Sequence, residues 1–106
     1  MNDRFTPHNK PPFRGVGGLG GWDSRKAVAN FRKHQISFEF ACEAFFDPFV
    51  CYLDDETVGS EHREIVIGLT TTWHLLYVVY VLRDDIIRVI SARPVTKAEG
   101  EVYENQ

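Results

Sequence analysis

The stretch REIVIGLTTTWHLLYVVYVLRDDIIRVIS, residues 63–91, decides the fold of this chain. It holds three runs rich in Ile, Val, Leu and Tyr, residue types that favour β-strands: residues 63–69, 73–82 and 86–91. The links between the runs, residues 70–72 and an Asp-Asp turn at residues 84–85, are short enough for hairpins. We therefore predict that the three strands form an antiparallel meander.

Upstream of the meander, the spacing of apolar residues predicts two helices. Residues 23–24, Asp-Ser, supply an N-cap for the first helix, and His34 is expected in the connection that follows it. Ser37 caps the second helix, over residues 38–46, which Pro48 stops. Both helices therefore precede the sheet in the chain.

Weaker elements flank the meander. Residues 49–53 form a short β-type run, and the acidic residues that follow predict a loop over residues 54–60. Pro94 ends the last strand, and Thr96 caps a short final helix over residues 97–103. The order of elements is then two helices, about four strands and one helix.

Helices segregated from an antiparallel sheet predict a compact two-layer α+β domain. A chain of 106 residues buries one core. Residues 1–21, rich in Gly and Pro, are predicted to be an N-terminal tail that leaves room for a short strand just before Trp22. The domain itself is assigned to residues 22–106.

The composition excludes several classes of protein. The longest apolar run, residues 75–82, is too short to span a bilayer, and the N-terminus lacks the apolar region of a signal peptide. We therefore expect a cytoplasmic protein with no membrane contact. Its two cysteines are then expected to be reduced thiols. The net charge of −3 is unlike that of a typical basic nucleic-acid binder.

Motifs for cofactors, metals and nucleophiles are weak. Gly15, Gly17 and Gly20 match G-x-G-x-x-G, but no apolar strand precedes them, so we interpret them as part of a flexible segment. The four histidines are scattered without metal-ligand spacing, and no Gly-x-Ser-x-Gly motif occurs. We expect neither a metal nor a cofactor.

The remaining candidates for chemistry are six cations and one histidine distributed around the sheet: Lys26, Lys33, His34, Arg63, Arg83, Arg88 and Arg93. Arg88 is the most informative, because it interrupts the apolar strand Ile-Ile-Arg-Val-Ile. An unpaired buried charge is costly, so this guanidinium needs a partner. Either Glu61 or Glu64 pairs with it, or its planar fork binds a phosphate or carboxylate ligand.

The other two strand arginines also have a structural interpretation. Arg93 lies five positions after Arg88, which would place it on the opposite face of an ideal strand. Pro94 forces a bend after it, so spacing alone does not fix how the two arginines are placed. The structural interpretation of Arg93 is a solvated residue at the strand end. Arg63 follows an acidic segment, and a salt bridge to Glu61 or Asp55 is its simplest environment.

His34 and the two tryptophans leave alternatives open. Histidine changes charge near physiological pH, so His34 is a candidate for proton transfer, although it can equally be a turn residue. Trp22 and Trp73 are most simply core residues. Trp73 could instead stack on a nucleic-acid base if it lies at an open strand start.

Taken together, the motifs resemble a known family. They read Trp-Asp-x-x-Lys-x-x-x-Asn-x-x-Lys-His-x-x-Ser-Phe from residue 22, Glu-x-Arg-x-x-x-Ile-Gly from residue 61, Arg-x-Ile-Ser-Ala-Arg from residue 88 and Thr-Lys-x-Glu-x-x-x-Tyr from residue 96. This combination resembles the BrnT family of toxins from bacterial type II toxin–antitoxin modules. The resemblance covers about Trp22 to Tyr103.

The resemblance implies a RelE-like fold and metal-independent cleavage of RNA that inhibits translation. It implies a BrnA-like ribbon-helix-helix antitoxin as partner, in a hetero-oligomer that contacts operator DNA only through the antitoxin. Metal-free RNA cleavage needs proton transfer and cations that stabilise charge on the phosphoryl oxygens. We therefore assign catalytic roles to Arg63, Arg88, Arg93 and His34, and substrate binding to Lys26, Lys33 and Arg83.

The sequence departs from the family pattern at two places. Gly-rich residues 17–21 replace a short apolar strand, and Gly100 and Glu101 stand in a final helix that is usually more basic. Two alternatives to a ribonuclease therefore stay open. One is a catalytically inactive toxin-like module that binds the antitoxin and acts as co-repressor, and the other is a small structural domain whose arginines form local salt bridges.

Overall fold

The computed structural model of the chain describes residues 18–19 and 21–106, apart from the side chains of residues 18, 19 and 54. Its helices and strands follow in this order: β1 (Gly18–Leu19), α1 (Ser24–His34), α2 (Phe38–Ala41), a 3-10 helix (Cys42–Phe46), β2 (Cys51–Val58), β3 (Glu61–Leu69), β4 (Leu75–Arg83), β5 (Ile86–Pro94) and α3 (Lys97–Glu104). The α+β class predicted from the sequence is confirmed. None of the described helices is long and apolar enough to cross a membrane.

The strands form one sheet in the order β1-β5-β4-β3-β2. Strands β2 to β5 pair antiparallel in sequence, which confirms the predicted meander. The two-residue strand β1 adds to the edge as a parallel neighbour, with Gly18 opposite Ile86 and Leu19 opposite Ile87. It lies within the segment predicted as a tail, and residues 1–17 and 20 of that segment lie outside the described residues.

The predicted acidic loop is wrong, because most of it belongs to β2. Beyond an irregularity between Leu53 and Glu56, the ladder continues from Glu56 opposite Arg63 to Val58 opposite Glu61. The main-chain hydrogen bonds to β3 hold this segment in the sheet irrespective of its side chains. Acidic side chains are tolerated there because β2 is an exposed sheet edge. The turn shrinks to two residues that begin with Gly59 at φ 63°, a value that favours glycine.

Two element boundaries also differ from the prediction. His34 is the last residue of α1 and not part of the connection, because Gln35 takes the left-handed conformation that ends the helix. Strand β4 begins at Leu75, since Trp73 has φ 68° and belongs to the preceding turn. Trp73 is 83% exposed, so its prediction as a core residue is wrong.

The core lies between one face of the sheet and the segment formed by α2 and the 3-10 helix. Phe45 packs edge-on against Tyr80 with ring centroids 5.1 Å apart. The close approach of β3 to the 3-10 helix depends on Gly68, because a Cβ atom there would clash with the carbonyl oxygen of Ala44. Trp22 packs against this core edge-on to Phe38, with ring centroids 5.8 Å apart.

Two buried polar side chains fasten the remaining helices to the sheet. Asn30 of α1 bonds both main-chain groups of Ala92: its Nδ2 donates to the carbonyl at 2.9 Å, and its Oδ1 accepts from the N–H at 3.1 Å. Asp47 accepts from the N–H groups of Phe49 and Leu69 and from the hydroxyl of Tyr103 in α3. Consequently α1 lies against β5 at Ala92, further along the strand than the two residues, Ile86 and Ile87, that pair with β1.

Candidate functional site

A β-bulge in β5 brings the two candidate arginines of that strand to one face. Val79 pairs with Ser91 and Tyr80 with Val89, so Ile90 is an extra residue in the ladder. Arg88 therefore lies opposite Val81, and Arg93 lies opposite Tyr77. Positions 77 and 81 of β4 share a face because they are four residues apart. An ideal strand would place Arg88 and Arg93 on opposite faces, and this bulge is what brings them to the same face.

The predicted site residues meet in two adjoining hollows between α1 and this face of the sheet. Both hollows are lined by Lys26 and Ile90. The first also contains Arg83 and Arg88, and the second contains the remaining four predicted residues: Lys33, His34, Arg63 and Arg93. We call the two hollows together the groove. All seven residues singled out from the sequence therefore line one continuous surface.

Helix α1 contributes two lysines and one histidine to the groove at helical spacing. Lys26, Lys33 and His34 follow each other by seven and one positions, which places them along one side of the helix. Asn30 lies between them on the same side and fixes that side against β5 through its bonds to Ala92. The helix begins at an Asp23 cap whose carboxylate accepts from the N–H of Arg25 at 2.8 Å.

Arg63 of the second hollow and Arg83 of the first hollow share one carboxylate, that of Glu61. Glu61 accepts from Nε of Arg63 at 3.0 Å, and its second oxygen lies 3.6 Å from Arg83. The predicted salt bridge between Arg63 and Glu61 is thereby confirmed. Arg88 forms no ion pair with any residue in the described part of the chain, and Glu64 instead accepts from the hydroxyl of Tyr80 at 2.8 Å. Of these three arginines, Arg88 is the one left to meet an external anion.

Arg93 is held more tightly than the other arginines. Its Nη1 and Nη2 donate to the two carboxylate oxygens of Glu99 in α3 at 2.8 and 2.9 Å. Its guanidinium also stacks on the ring of Tyr77, 3.9 Å from the centroid. The hydrogen bonds from Arg93 lower the pKa of Glu99 to about 2, so the carboxylate stays ionised throughout the physiological range. Arg93 is therefore not a merely solvated strand-end residue.

This geometry is suited to binding an anion. Six of the chain's 12 Lys and Arg residues line the groove. Arginine binds phosphate through a planar fork, and lysine adds a compact positive charge. No group of three or more His, Cys, Asp or Glu residues within the described part of the chain is arranged to hold a metal ion.

Sequence reasoning missed three residues that organise the groove. From the sequence, Glu61 is predicted only as a salt-bridge partner, and Glu99 and Asn30 only as positions of the family motifs. Asn30 did carry a signal, because it is a polar residue three positions after Ala27 on the apolar side of α1. The signal for Glu99 is weaker: it is the Thr-x-x-Glu spacing that is typical of a capping box.

Trp73 lies in a different part of the molecule. It lines a separate hollow with Phe46, Pro48 and Glu43, which contains none of the seven predicted residues. Glu43 accepts from both the N–H and the hydroxyl of Thr71 and so fixes the β3–β4 turn. The groove and this hollow share no lining residue.

The fold and the groove define a small α+β domain with a cation-lined groove on one side of its sheet. Comparison with known proteins makes this more specific, because residues 22–99 match the family model described as "Ribonuclease toxin, BrnT, of type II toxin-antitoxin system". The chain therefore belongs to the BrnT ribonuclease toxin family. The predicted family resemblance is confirmed, and an antitoxin partner is implied by the type of system.

A solved structure agrees on the fold. The crystal structure of the Brucella abortus ribonuclease toxin BrnT at 1.1 Å resolution superposes with a TM-score of 0.50. The two chains are 21% identical, and the match covers 74% of this chain and 97% of the Brucella chain. No curated protein sequence matches the chain.

Proposed function

We propose that this protein is an active endoribonuclease that cleaves RNA in the groove without a metal ion and thereby inhibits translation in the cytoplasm. The observation that carries the proposal is the convergence of seven predicted residues on one groove, in a member of a ribonuclease toxin family. The family resemblance further implies a RelE-like fold, and the candidate arginines Arg88 and Arg93 lie on one face of the sheet.

In the proposed reaction, the 2′-hydroxyl of a nucleotide attacks the adjacent phosphorus. A new bond forms between that oxygen and phosphorus, and the bond to the 5′-oxygen of the next nucleotide breaks. One proton leaves the 2′-hydroxyl, and one proton is supplied to the departing 5′-oxygen. The products are a 2′,3′-cyclic phosphate and a free 5′-hydroxyl, so atoms and charges balance without any redox step.

The cations of the groove supply the electrostatic part of this chemistry. Negative charge on the phosphoryl oxygens grows in the transition state, and fixed cations in a partly desolvated site stabilise it. Arg88 is half-buried and forms no ion pair in the described part of the chain, so we assign it this role. Lys26 and Lys33 are exposed and bind the flanking phosphates, and Arg83 extends this contact.

His34 is the proposed proton-transfer residue. It is half-buried at the C-terminal end of α1 and lines the same hollow as Arg63 and Arg93. An imidazole can accept the proton of the 2′-hydroxyl or, once charged, donate one to the leaving oxygen. Arg63 and Arg93 complete the site from the sheet side.

The antitoxin is proposed to be a BrnA-like ribbon-helix-helix protein. Two surfaces fit such a partner. The groove attracts an acidic segment by electrostatic complementarity. The alternative is the sheet edge formed by β2, on the side away from β1, where Tyr52 is 36% exposed and Phe49, just before the strand, is 42% exposed. In such a complex, operator DNA contacts the antitoxin and not the toxin.

The proposal is tested by comparing the wild type with Arg88→Ala and with a matched control, Arg32→Ala. Arg32 is an exposed arginine of α1 that does not line the groove. Each protein is purified and incubated with RNA in the presence of EDTA. In parallel, each is induced in bacteria without antitoxin while growth and total RNA are followed.

We expect the wild type and Arg32→Ala to cleave RNA with EDTA present and to arrest growth. Loss of the charge at position 88 should slow cleavage about 10²- to 10³-fold, as removal of a transition-state donor does in other enzymes. Thermal unfolding of each variant verifies that it is folded. Soluble wild-type protein that binds its antitoxin but leaves RNA intact would favour the inactive binding module, and cleavage abolished by EDTA would contradict the metal-free mechanism.

A further inference from the structure

We propose that Glu99 is a positioning residue of the groove, which fixes the guanidinium of Arg93 so that one edge of it faces the RNA phosphate. The inference rests on the proposed ribonuclease function and assigns part of that site to helix α3. Glu99 itself does not line the groove, whereas Arg93 does. Glu99 therefore acts through Arg93.

Three contacts hold the Arg93 guanidinium. Glu99 occupies the end formed by Nη1 and Nη2, with distances of 2.8 and 2.9 Å. The carbonyl of Pro94 accepts from Nη1 at 3.2 Å. The ring of Tyr77 supports one flat side at 3.9 Å. These contacts fix the direction of the fork, since a stacked and bidentate arginine has no freedom to rotate.

The same contacts leave one edge of the fork available. A guanidinium has five N–H groups, and its Nε and the neighbouring hydrogen of Nη2 form a second pair suited to an oxyanion. The hydrogen bonds from Arg93 to Glu99 and to Pro94 use its Nη1 and Nη2 and not its Nε. The side chain of Arg93 is 31% exposed and lines the hollow that also contains His34 and Arg63. A phosphate in that hollow can therefore meet this edge while Glu99 retains the other.

Glu99 is itself immobilised, as a positioning residue must be. Its Oε1 accepts from the N–H of Thr96 at 2.9 Å, and its own N–H donates to the Thr96 hydroxyl at 3.2 Å, which together form a capping box. Helix α3 is in turn tied to the core by the hydroxyl of Tyr103, which donates to buried Asp47. The low pKa of Glu99, about 2, means that this support stays charged at any pH where RNA cleavage is assayed.

The test compares Glu99→Gln with Glu101→Gln, an exposed carboxylate on the same helix. Glutamine preserves the capping box, because Gln also serves at this position. It removes the charge and one of the two acceptors that Arg93 needs. A fluorogenic RNA oligonucleotide supplies kcat and KM, and all rates are measured well below the unfolding temperature of each variant.

We expect kcat of Glu99→Gln to fall about 10- to 100-fold, as misplacement of a reacting group does, with KM nearly unchanged. Glu101→Gln should behave as the wild type. In an Arg93→Lys background, which keeps a charge but cannot form the bidentate pair, Glu99→Gln should change kcat less than twofold. If Glu99 only stabilised the fold, Glu99→Gln would lower kcat in the Arg93→Lys background as well.

Each other outcome overturns the inference in a recognisable way. Wild-type kinetics in Glu99→Gln would show that Arg93 needs no support. A higher kcat would show that Glu99 competes with phosphate for Arg93. An equal loss in the Arg93→Lys background would show that Glu99 acts on stability and not on Arg93. If the wild type itself does not cleave RNA, the proposed function fails first, and the inference fails with it.

Discussion

Replacement of Asn30 by alanine should detach α1 from the sheet edge. Asn30 is 7% exposed and satisfies three buried main-chain groups, the carbonyl of Ile36 at 3.0 Å and both polar groups of Ala92. A buried main-chain group without a partner costs about 1–3 kcal/mol. Even at the lower end, the three groups give a loss of about 3 kcal/mol.

This loss is large compared with the total stability of a small domain, which is about 5–15 kcal/mol. It corresponds to a fall in Tm of roughly 12 °C or more for a domain near this size. The assay is urea unfolding followed by circular dichroism, with Asn105→Ala as control, because Asn105 is an exposed amide at the end of α3. The control should stay within about 0.5 kcal/mol of the wild type.

The same variant should lose RNA binding before it loses its fold. Lys26 and Lys33 are placed over the groove by the segment of α1 that Asn30 fastens. At a temperature where Asn30→Ala is still folded, its affinity for RNA should fall although no cation has been removed. A loss of stability below about 1 kcal/mol, or unchanged RNA affinity, would refute the argument that Asn30 organises this side of the groove.

Three further substitutions should change stability. Gly68→Ala should lower the free energy of unfolding in urea by about 1–3 kcal/mol, because the new Cβ meets the main chain of Ala44. Gly100→Ala should instead stabilise α3 by about 0.5–1 kcal/mol, because its Cβ would lie at an ordinary contact distance of 3.7 Å from Val95. The pKa of Glu99 falls on folding from 4.5 to about 2, so its contribution to stability is full above pH 4.5 and is lost as the pH falls towards 2. Glu99→Gln should therefore flatten the pH dependence of Tm in that interval, and an unchanged profile would contradict the assignment.

The central sheet could be predicted because its strands are long, apolar and linked by short turns. Strands of this kind bury one face of the sheet irrespective of the rest of the chain, so residues 63–91 alone predict the meander. The extent of β2 could not be predicted in the same way. Its acidic residues have low β-propensity, and they are in a strand only because β3 offers them main-chain partners.

The residues of the site could be named from the sequence, but their arrangement could not. Arg88 stood out because a charge in an apolar strand requires a partner. The face shared by Arg88 and Arg93 depends on the bulge at Ile90, and no residue type marks a bulge of this kind. The bidentate pair between Arg93 and Glu99 likewise depends on where α3 packs, which local spacing does not specify.

The acidic net charge of the chain is compatible with RNA binding for a structural reason. Affinity for phosphate depends on the local distribution of charge and not on the sum over the chain. Here half of the Lys and Arg residues line one groove, while Asp55 and Glu56 lie on the edge strand β2. Two carboxylates line the groove, Glu61 and Asp23. Glu61 is bound to Arg63 and Arg83, and Asp23 caps α1, so Arg88 and the lysines of α1 are left to attract the ligand. If this reasoning holds, neutralising Glu56 should change RNA affinity little, whereas neutralising Lys26 should weaken it and reduce its dependence on salt.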